Sequence, residues 1–238
     1  MFFLVAFGAV LTSLCEAMGW TSAAAQMEHA EWAGFHVYDI IMPLFMFCSG
    51  VAIPYAFAKY RGKDAEPRGK AYARIGRRFV TLWVLGMICQ GNLLQLEPLW
   101  MRWYSNTLQA IAVGYAVSAI LFVNCRTRTR LTVALSLLVA YWALMEFVSA
   151  GGCGGGSYAP VTNLCEWVDR TVLGVHCDHV YISSDGTWAF KDGYTYTWIL
   201  SSLNFVVTVL CGVFAGEILR GPSSGKRKTA HSRQNTPT

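Results

Sequence analysis

Between Ile40 and Ala58 the chain carries no charged side chain. That run approaches the ~20 apolar residues a helix needs to cross the hydrocarbon core of a bilayer. Further apolar segments occupy roughly 2–18, 79–95, 107–124, 131–149 and 197–219. Together they predict an all-α, polytopic membrane bundle with about six transmembrane helices, whose first partner is the lipid bilayer. Composition agrees: 54% of residues are hydrophobic, 14% are charged and mean hydropathy is +0.37, too apolar for an ordinary soluble domain. The net charge of +5 does not point to nucleic acid, because the bases sit in short runs between apolar segments rather than in one patch.

Those bases orient the bundle. The connection 59–78 carries eight Lys and Arg, 125–130 carries three and the tail after residue 219 carries five, whereas the alternate connections hold only Arg102, Arg170 and Lys191. Sixteen basic residues against three place the first set in the cytoplasm and turn the loops around His29, Trp100 and Cys153 outward. Residues 1–220 then form one membrane domain with an outward loop at 150–196, and 221–238 a basic polar tail without apolar periodicity, expected to be disordered. A cleaved signal peptide is the alternative for the first segment, since TSAAAQ at 21–26 has small residues suited to cleavage. No Lys or Arg precedes the apolar run, however, and a signal peptide begins with one.

The outward loop has local structure of its own. Asn163 with Glu166 three residues on marks a helix start, and Leu164, Val168 and Val172 predict the buried face of a short interfacial helix. VYIS, SDG and TWAF predict a hairpin turning at Asp185–Gly186. This loop reads first as a cap over helix ends, with a sugar platform on Trp188 and Tyr194 as the functional alternative. Trp100, Trp103 and Tyr104 read as an interfacial aromatic belt. Cys153, Cys165 and Cys177 allow at most one disulfide outside, and no Cys-x-x-Cys occurs.

The chemistry-bearing residues gather just ahead of the charge-free run. His29, Glu31, His36 and Asp39 stand at the mouth of a membrane helix, and ionisable groups kept there are a functional-site hypothesis by default. If the segment is helical throughout, His29, Trp32, His36 and Asp39 share one face; Gly34 is where such a helix would break. Taken alone, the two histidines also read as plain interfacial residues. His29 and Glu31 have the His-x-Glu spacing of zinc deaminases, but the accompanying Pro-Cys-x-x-Cys is missing. His29, His36 and Asp39 could also bind zinc, at a weakly specific spacing.

QMEHAEWAGFHVYDIIMPLFMFCSGVAIPYAFAKY, RRFVTLWVLGMICQGNLL, YSNTLQAIAVGYAVSAIL and YTWILSSLNFVVTVLCGVFAGEILR resemble the bacterial branch of the heparan-α-glucosaminide N-acetyltransferase family. The resemblance implies transfer of acetyl from cytoplasmic acetyl-CoA to an amino sugar or glycan on the outer side of a bacterial inner membrane. It places the catalytic histidine at His29 and an acidic partner at Asp39, and it covers Gln109 without a role. It also implies an opening Ser-Leu-Asp-x-Leu-Arg-Gly-Phe-Asp stretch before Met1 and further helices after residue 220. On that basis the chain is an internal stretch of a longer protein, and turnover is expected only with the flanking segments restored.

The residue chemistry is compatible. An imidazole, ordinarily titrating near pH ~6.5, can take the ammonium proton or carry the acetyl group itself. Asp39 would fix its tautomer. Arg77 and Arg78, nearest a helix end, would draw the CoA phosphates; the competing role for both is setting topology. A transporter is the rival from another class, with Pro43, Gly50 and Pro54 breaking the second helix at a midplane site. The acids gather at helix ends rather than at the bilayer centre, which favours the enzyme. The orientation is testable with an impermeant thiol reagent on intact cells: Cys153 or Cys177 should react and Cys125 should be spared. Labelling of Cys125 alone would invert the bundle.

Overall fold

The computed structural model describes residues 2–30, 32, 34–62, 65–89, 101–178, 180–183, 185–191 and 196–221, with side chains from Val10 onward. The helices are α1 (Phe2–Ala17), α2 (Thr21–Gln26), α3 (Ile41–Phe57), α4 (Arg68–Cys89), α5 (Thr107–Asn124), α6 (Thr127–Phe147), α7 (Leu164–Leu173) and α8 (Ser202–Arg220). Two small antiparallel hairpins lie in the 149–190 region: β1 (Ser149–Ala150) with β2 (Cys153–Gly154), and β3 (Val180–Ile182) with β4 (Trp188–Phe190). Among the described residues, four helical stretches are long and apolar enough to cross a membrane: Val37–Tyr60, Thr107–Asn124, Thr127–Phe147 and Ser202–Arg220. By length and composition this is a helical membrane protein.

Two further segments expected to span the membrane are not among these four. α1 has 16 residues, short of the required length. α4 has 22, but its first half carries Arg68, Lys70, Arg74, Arg77 and Arg78, and its expected continuation over 90–95 lies outside the described residues.

The bundle is built on α3, α5 and α8. α5 is its axis, buried from Gln109 through Ala110, Tyr115, Ala119 and Phe122, while α6 turns Leu131, Leu135, Val139 and Trp142 outward as a lipid-facing helix would. α3 and α8 touch backbone to backbone. A methyl group at Gly50 would sit 3.0 Å from the Gly212 Cα and nearer still to the Val209 carbonyl oxygen. One at Gly212 would strike the Phe47 carbonyl, and one at Gly216 the Val51 carbonyl. Gly212 and Gly216 form the small-xxx-small spacing that lets membrane helices approach closely. Pro54 lies within α3, which nevertheless runs without interruption from Ile41 to Phe57, and Gly50 serves packing; the expected midplane break is absent from this helix.

The two ends of the bundle differ in chemistry. Arg61, Cys125, Arg130, Glu217, Arg220 and Pro54 meet at one end. His29, the 101–106 connection and the 149–199 region meet at the other, through His29–Tyr196, Trp32–Tyr158 and Trp103–His176 contacts. This segregation matches the alternation of basic and non-basic connections.

Within the 150–196 connection, Asn163 caps α7 by accepting from Glu166 N at 2.9 Å, as the Asn-x-x-Glu spacing predicts. The hairpin also turns where expected, with the Asp185 carboxylate accepting from Thr187 N at 3.0 Å. Three expectations are corrected. α7 buries Leu164, Cys165, Glu166, Asp169 and Leu173, whereas Val172 is 63% exposed, because the two acids are tied inward by hydrogen bonds. Tyr104 is a core residue, packed against Trp83 and Trp198 with its hydroxyl on Ser202 Oγ at 2.9 Å; only Trp103 is exposed as a belt residue would be, and Trp100 lies outside the described residues. Cys165 and Cys177 are buried, so among these three cysteines Cys153 is the thiol open to a reagent.

The α3–α8 contact yields a stability prediction. Gly212→Ala should cost about 1–3 kcal/mol through overpacking, read as a lower unfolding temperature in detergent. Gly76→Ala, where nothing lies within 4 Å, should match wild type or exceed it. Equal effects from the two would remove the close approach as the reason for glycine at 212.

Candidate functional site

Among the described residues between Gln26 and Val37, none is helical. Gly34 has φ +143°, a conformation that L side chains rarely adopt, and His36 is extended. The single helical face proposed for His29, Trp32, His36 and Asp39 therefore does not form; Glu31 lies outside the described residues. The loop folds back instead, and the fold-back brings His29 to Asp39. A 3-10 turn over Val37–Ile40 opens α3, and Asp39 Oδ2 accepts from His36 N at 2.9 Å at its start. The other oxygen, Oδ1, lies 2.6 Å from His29 Nδ1. An ionised carboxylate only accepts, so Nδ1 is the donor here, and in the neutral imidazole Nε2 then carries the lone pair. Tyr38 packs edge-on against the imidazole at 4.7 Å and Tyr196 at 6.0 Å. His36 turns away, with Nδ1 2.9 Å from the Glu28 carbonyl, so His29, His36 and Asp39 do not converge as metal ligands. Among the described residues no three His, Cys, Asp or Glu side chains are grouped to hold an ion.

His29 stands on the wall shared by two clefts. The larger, about 440 Å³, descends between α3 and α5 past Tyr38, Met42, Phe45, Leu108 and Ile111. The smaller, about 220 Å³, has a mixed, more polar lining, with Ser105, Asn106, Thr107, Asp178, Tyr196 and Trp198 around His29. Met42, Asn106 and Thr107 also belong to both. The arrangement is an apolar channel and a more polar pocket meeting at one imidazole.

The pocket wall is held by buried polar staples. Gln109, fully buried, accepts from Ser105 N at 2.9 Å and donates to the Trp103 carbonyl at 2.8 Å, fixing the connection that carries Ser105 and Asn106. That gives the Leu-Gln pair a structural role. Asn106 caps α5 through Leu108 N at 2.7 Å. On the far wall, Asp169 of α7 accepts from Trp198 N at 2.6 Å and Ile199 N at 2.9 Å, which sets Trp198 against Tyr104 and Tyr196. Burial pushes the Asp169 carboxyl up to about 6 and the Tyr104 hydroxyl up to about 12. Burial also raises Asp178, opposed by the charges of Arg102 and Lys191. Trp188, 45% exposed, packs edge-on to Phe190, and the Tyr194 of the expected sugar platform lies outside the described residues.

Arg77 and Arg78 are not at this site. Both lie in the first half of α4, and the Arg78 guanidinium sits over the Tyr115 ring at 4.2 Å. The structure thus joins His29 to Asp39 and leaves the two arginines apart from them. It adds Ser105, Asn106, Asp178, Tyr196 and Trp198, which no spacing in the sequence connects to His29. The chain matches no protein-family model and no curated protein. The family resemblance accordingly rests on the stretches quoted above.

The Asp169 staple predicts a pH dependence. Its folded pKa of about 6 lies above the unfolded ~3.9, so its contribution to stability is fully present below pH ~4 and falls as pH rises toward and through 6. The difference in unfolding temperature between wild type and Asp169→Asn should therefore shift against wild type between pH ~4 and ~7. A pH-independent difference would show that the carboxyl is not perturbed.

Proposed function

We propose that this chain belongs to a membrane-embedded acetyltransferase of a bacterial inner membrane, passing acetyl from cytoplasmic acetyl-CoA to the amine of an amino sugar or glycan on the outer side. Six transmembrane helices and outward-facing 101–106 and 149–199 regions are part of this reading. The observation that carries it is the His29–Asp39 pair at the junction of an apolar cleft and a more polar one. Asp39 holds the proton on Nδ1 and stabilises the imidazolium that forms when Nε2 accepts one. The acceptor amine loses its proton to Nε2, forms the new C–N bond, and the C–S bond of the thioester breaks. The imidazolium then returns the proton to the leaving thiolate. Direct attack by Nε2, giving an acyl-imidazole, uses the same geometry. Tyr196 and Asp178 offer a ring and a carboxylate that suit a sugar carrying an amine, with Trp198 buried behind them. Arg77 and Arg78 contribute positive charge on the basic side, where the CoA phosphates would arrive.

The transporter reading loses its midplane break, since α3 is continuous through Gly50 and Pro54. The acetyltransferase is tested in membranes carrying the full-length protein, with labelled acetyl-CoA and glucosamine. His29→Ala should lower the rate by about 10²–10⁴-fold, the range for general-base catalysis, with membrane insertion intact. Asp39→Asn should be milder than His29→Ala, and His36→Ala milder still, because His36 faces the Glu28 carbonyl. Loss in His36→Ala with retention in His29→Ala would move the base to His36. Retention in both would leave the two histidines as interfacial residues.

A further inference from the structure

The end of the bundle opposite His29 holds a second cavity, of about 310 Å³, walled by Pro54, Ala58, Arg61, Phe122, Glu217 and Arg220. Arg61 on the wall and Arg130 behind it meet one carboxylate, Glu217, and Arg220 stands on the same wall. Arg130 is fully buried, and its Nη2 contacts both Glu217 oxygens, at 2.7 and 2.9 Å. Arg61 reaches the same carboxylate only at 3.3 Å. Arg130 is the closer partner of Glu217 and Arg61 the second, so one carboxylate stands against these two guanidiniums, and Arg220 adds a third positive charge on the cavity wall.

Some of this charge closes helix ends: Arg220 donates to the Pro54 carbonyl at 3.0 Å, and Arg61 to the Cys125 carbonyl at 3.3 Å. That role does not exhaust the site. Each guanidinium has five N–H donors, more than these contacts occupy, and the three together outnumber the single carboxylate by two charges. The Arg61 guanidinium also lies over the Phe122 ring at 4.6 Å, with Arg130 at 4.9 Å from the same ring, which restricts where the Arg61 fork can point. A partly buried fork at Arg61 beside an exposed one at Arg220 suits a tetrahedral oxyanion, because each fork can bind two oxygens.

We propose that the Arg61–Arg220 cavity is a phosphoryl-binding site, taking a phosphate monoester or diester at the basic face of the bundle. It stands apart from the acyl-transfer reading, since none of its residues touches His29 or Asp39. The phosphoryl group can belong to a soluble phosphate ester or to an anionic lipid headgroup at the bilayer surface. The test uses the purified full chain in nanodiscs of phosphatidylcholine, titrated with inorganic phosphate, and in nanodiscs where phosphatidylglycerol replaces part of the phosphatidylcholine. A saturable rise in unfolding temperature with phosphate in the first assigns the soluble source. A rise only with phosphatidylglycerol assigns the lipid.

In either case Arg220→Gln, at the exposed end of α8, should weaken the response about tenfold or more, as loss of a charge-assisted contact requires. Arg61→Lys should also weaken it, because the charge stays and the fork is lost. Should Arg61→Lys fail to fold, Arg220→Gln alone decides. Arg77→Gln, on the same basic side but outside the cavity, should leave the response unchanged. No saturable response to either probe, or an equal loss in Arg77→Gln, would overturn the proposal.

Discussion

The contact on which both candidate sites depend is the backbone-to-backbone approach of α3 and α8. In lipid there is no hydrophobic gain in bringing two apolar helices together, so they associate through close packing and hydrogen bonds. Gly50, Gly212 and Gly216 supply that packing along one seam. Everything chemically distinctive then hangs from the ends of this pair. Asp39 stands on the turn that opens α3, and Trp198 stands just before α8. Arg61 follows α3 at the other end, facing Glu217 and Arg220 at the close of α8. A shift of the seam by one glycine would move both sets of partners relative to each other.

Polar residues finish what the glycines begin. Fully buried Gln109 and Asp169 spend their capacity on backbone groups of the connections beside the His29 pocket, not on each other. An irregular backbone near a membrane surface leaves amide groups that must find partners, and these two side chains provide them. The cost is visible in Asp169, whose carboxyl is pushed up to about 6 by its burial. The pocket wall is therefore rigid where it carries Ser105, Asn106 and Trp198.

The helical class, the apolar runs and the segregation of basic ends were legible because they depend on local composition. So were the Asn163 cap and the Asp185–Gly186 turn, which follow from side chains within three residues of each other. The His29–Asp39 contact was legible as a pairing but not as a geometry. A helix was expected to align them, and a loop broken at Gly34 does so instead. Asp178, Tyr196 and Trp198 were not legible, since they reach His29 across more than a hundred residues and no periodicity encodes that distance. The GVFAG spacing at 212–216 could have located the α3–α8 seam, and Arg130, the last of three bases at the start of an apolar helix, could have marked the second cavity.

The two cavities lie at opposite ends of a helix of 17 residues, a separation of roughly 25 Å at ~1.5 Å per residue. A small group held at Arg61 cannot touch His29, so the basic cavity takes no direct part in chemistry at the imidazole. What lies between them is not empty: the apolar cleft below His29 runs down α3 to Phe45 and along α5 to Ile111. Its lining carries almost no hydrogen-bonding groups beyond those near its mouth, so a charged group would lose its hydration there without replacement. An uncharged chain would not. If the acyl-transfer reading holds, the division of labour is physical: charge is held at the basic end, the neutral part of the donor occupies the apolar cleft, and the imidazole meets only the carbonyl that is transferred.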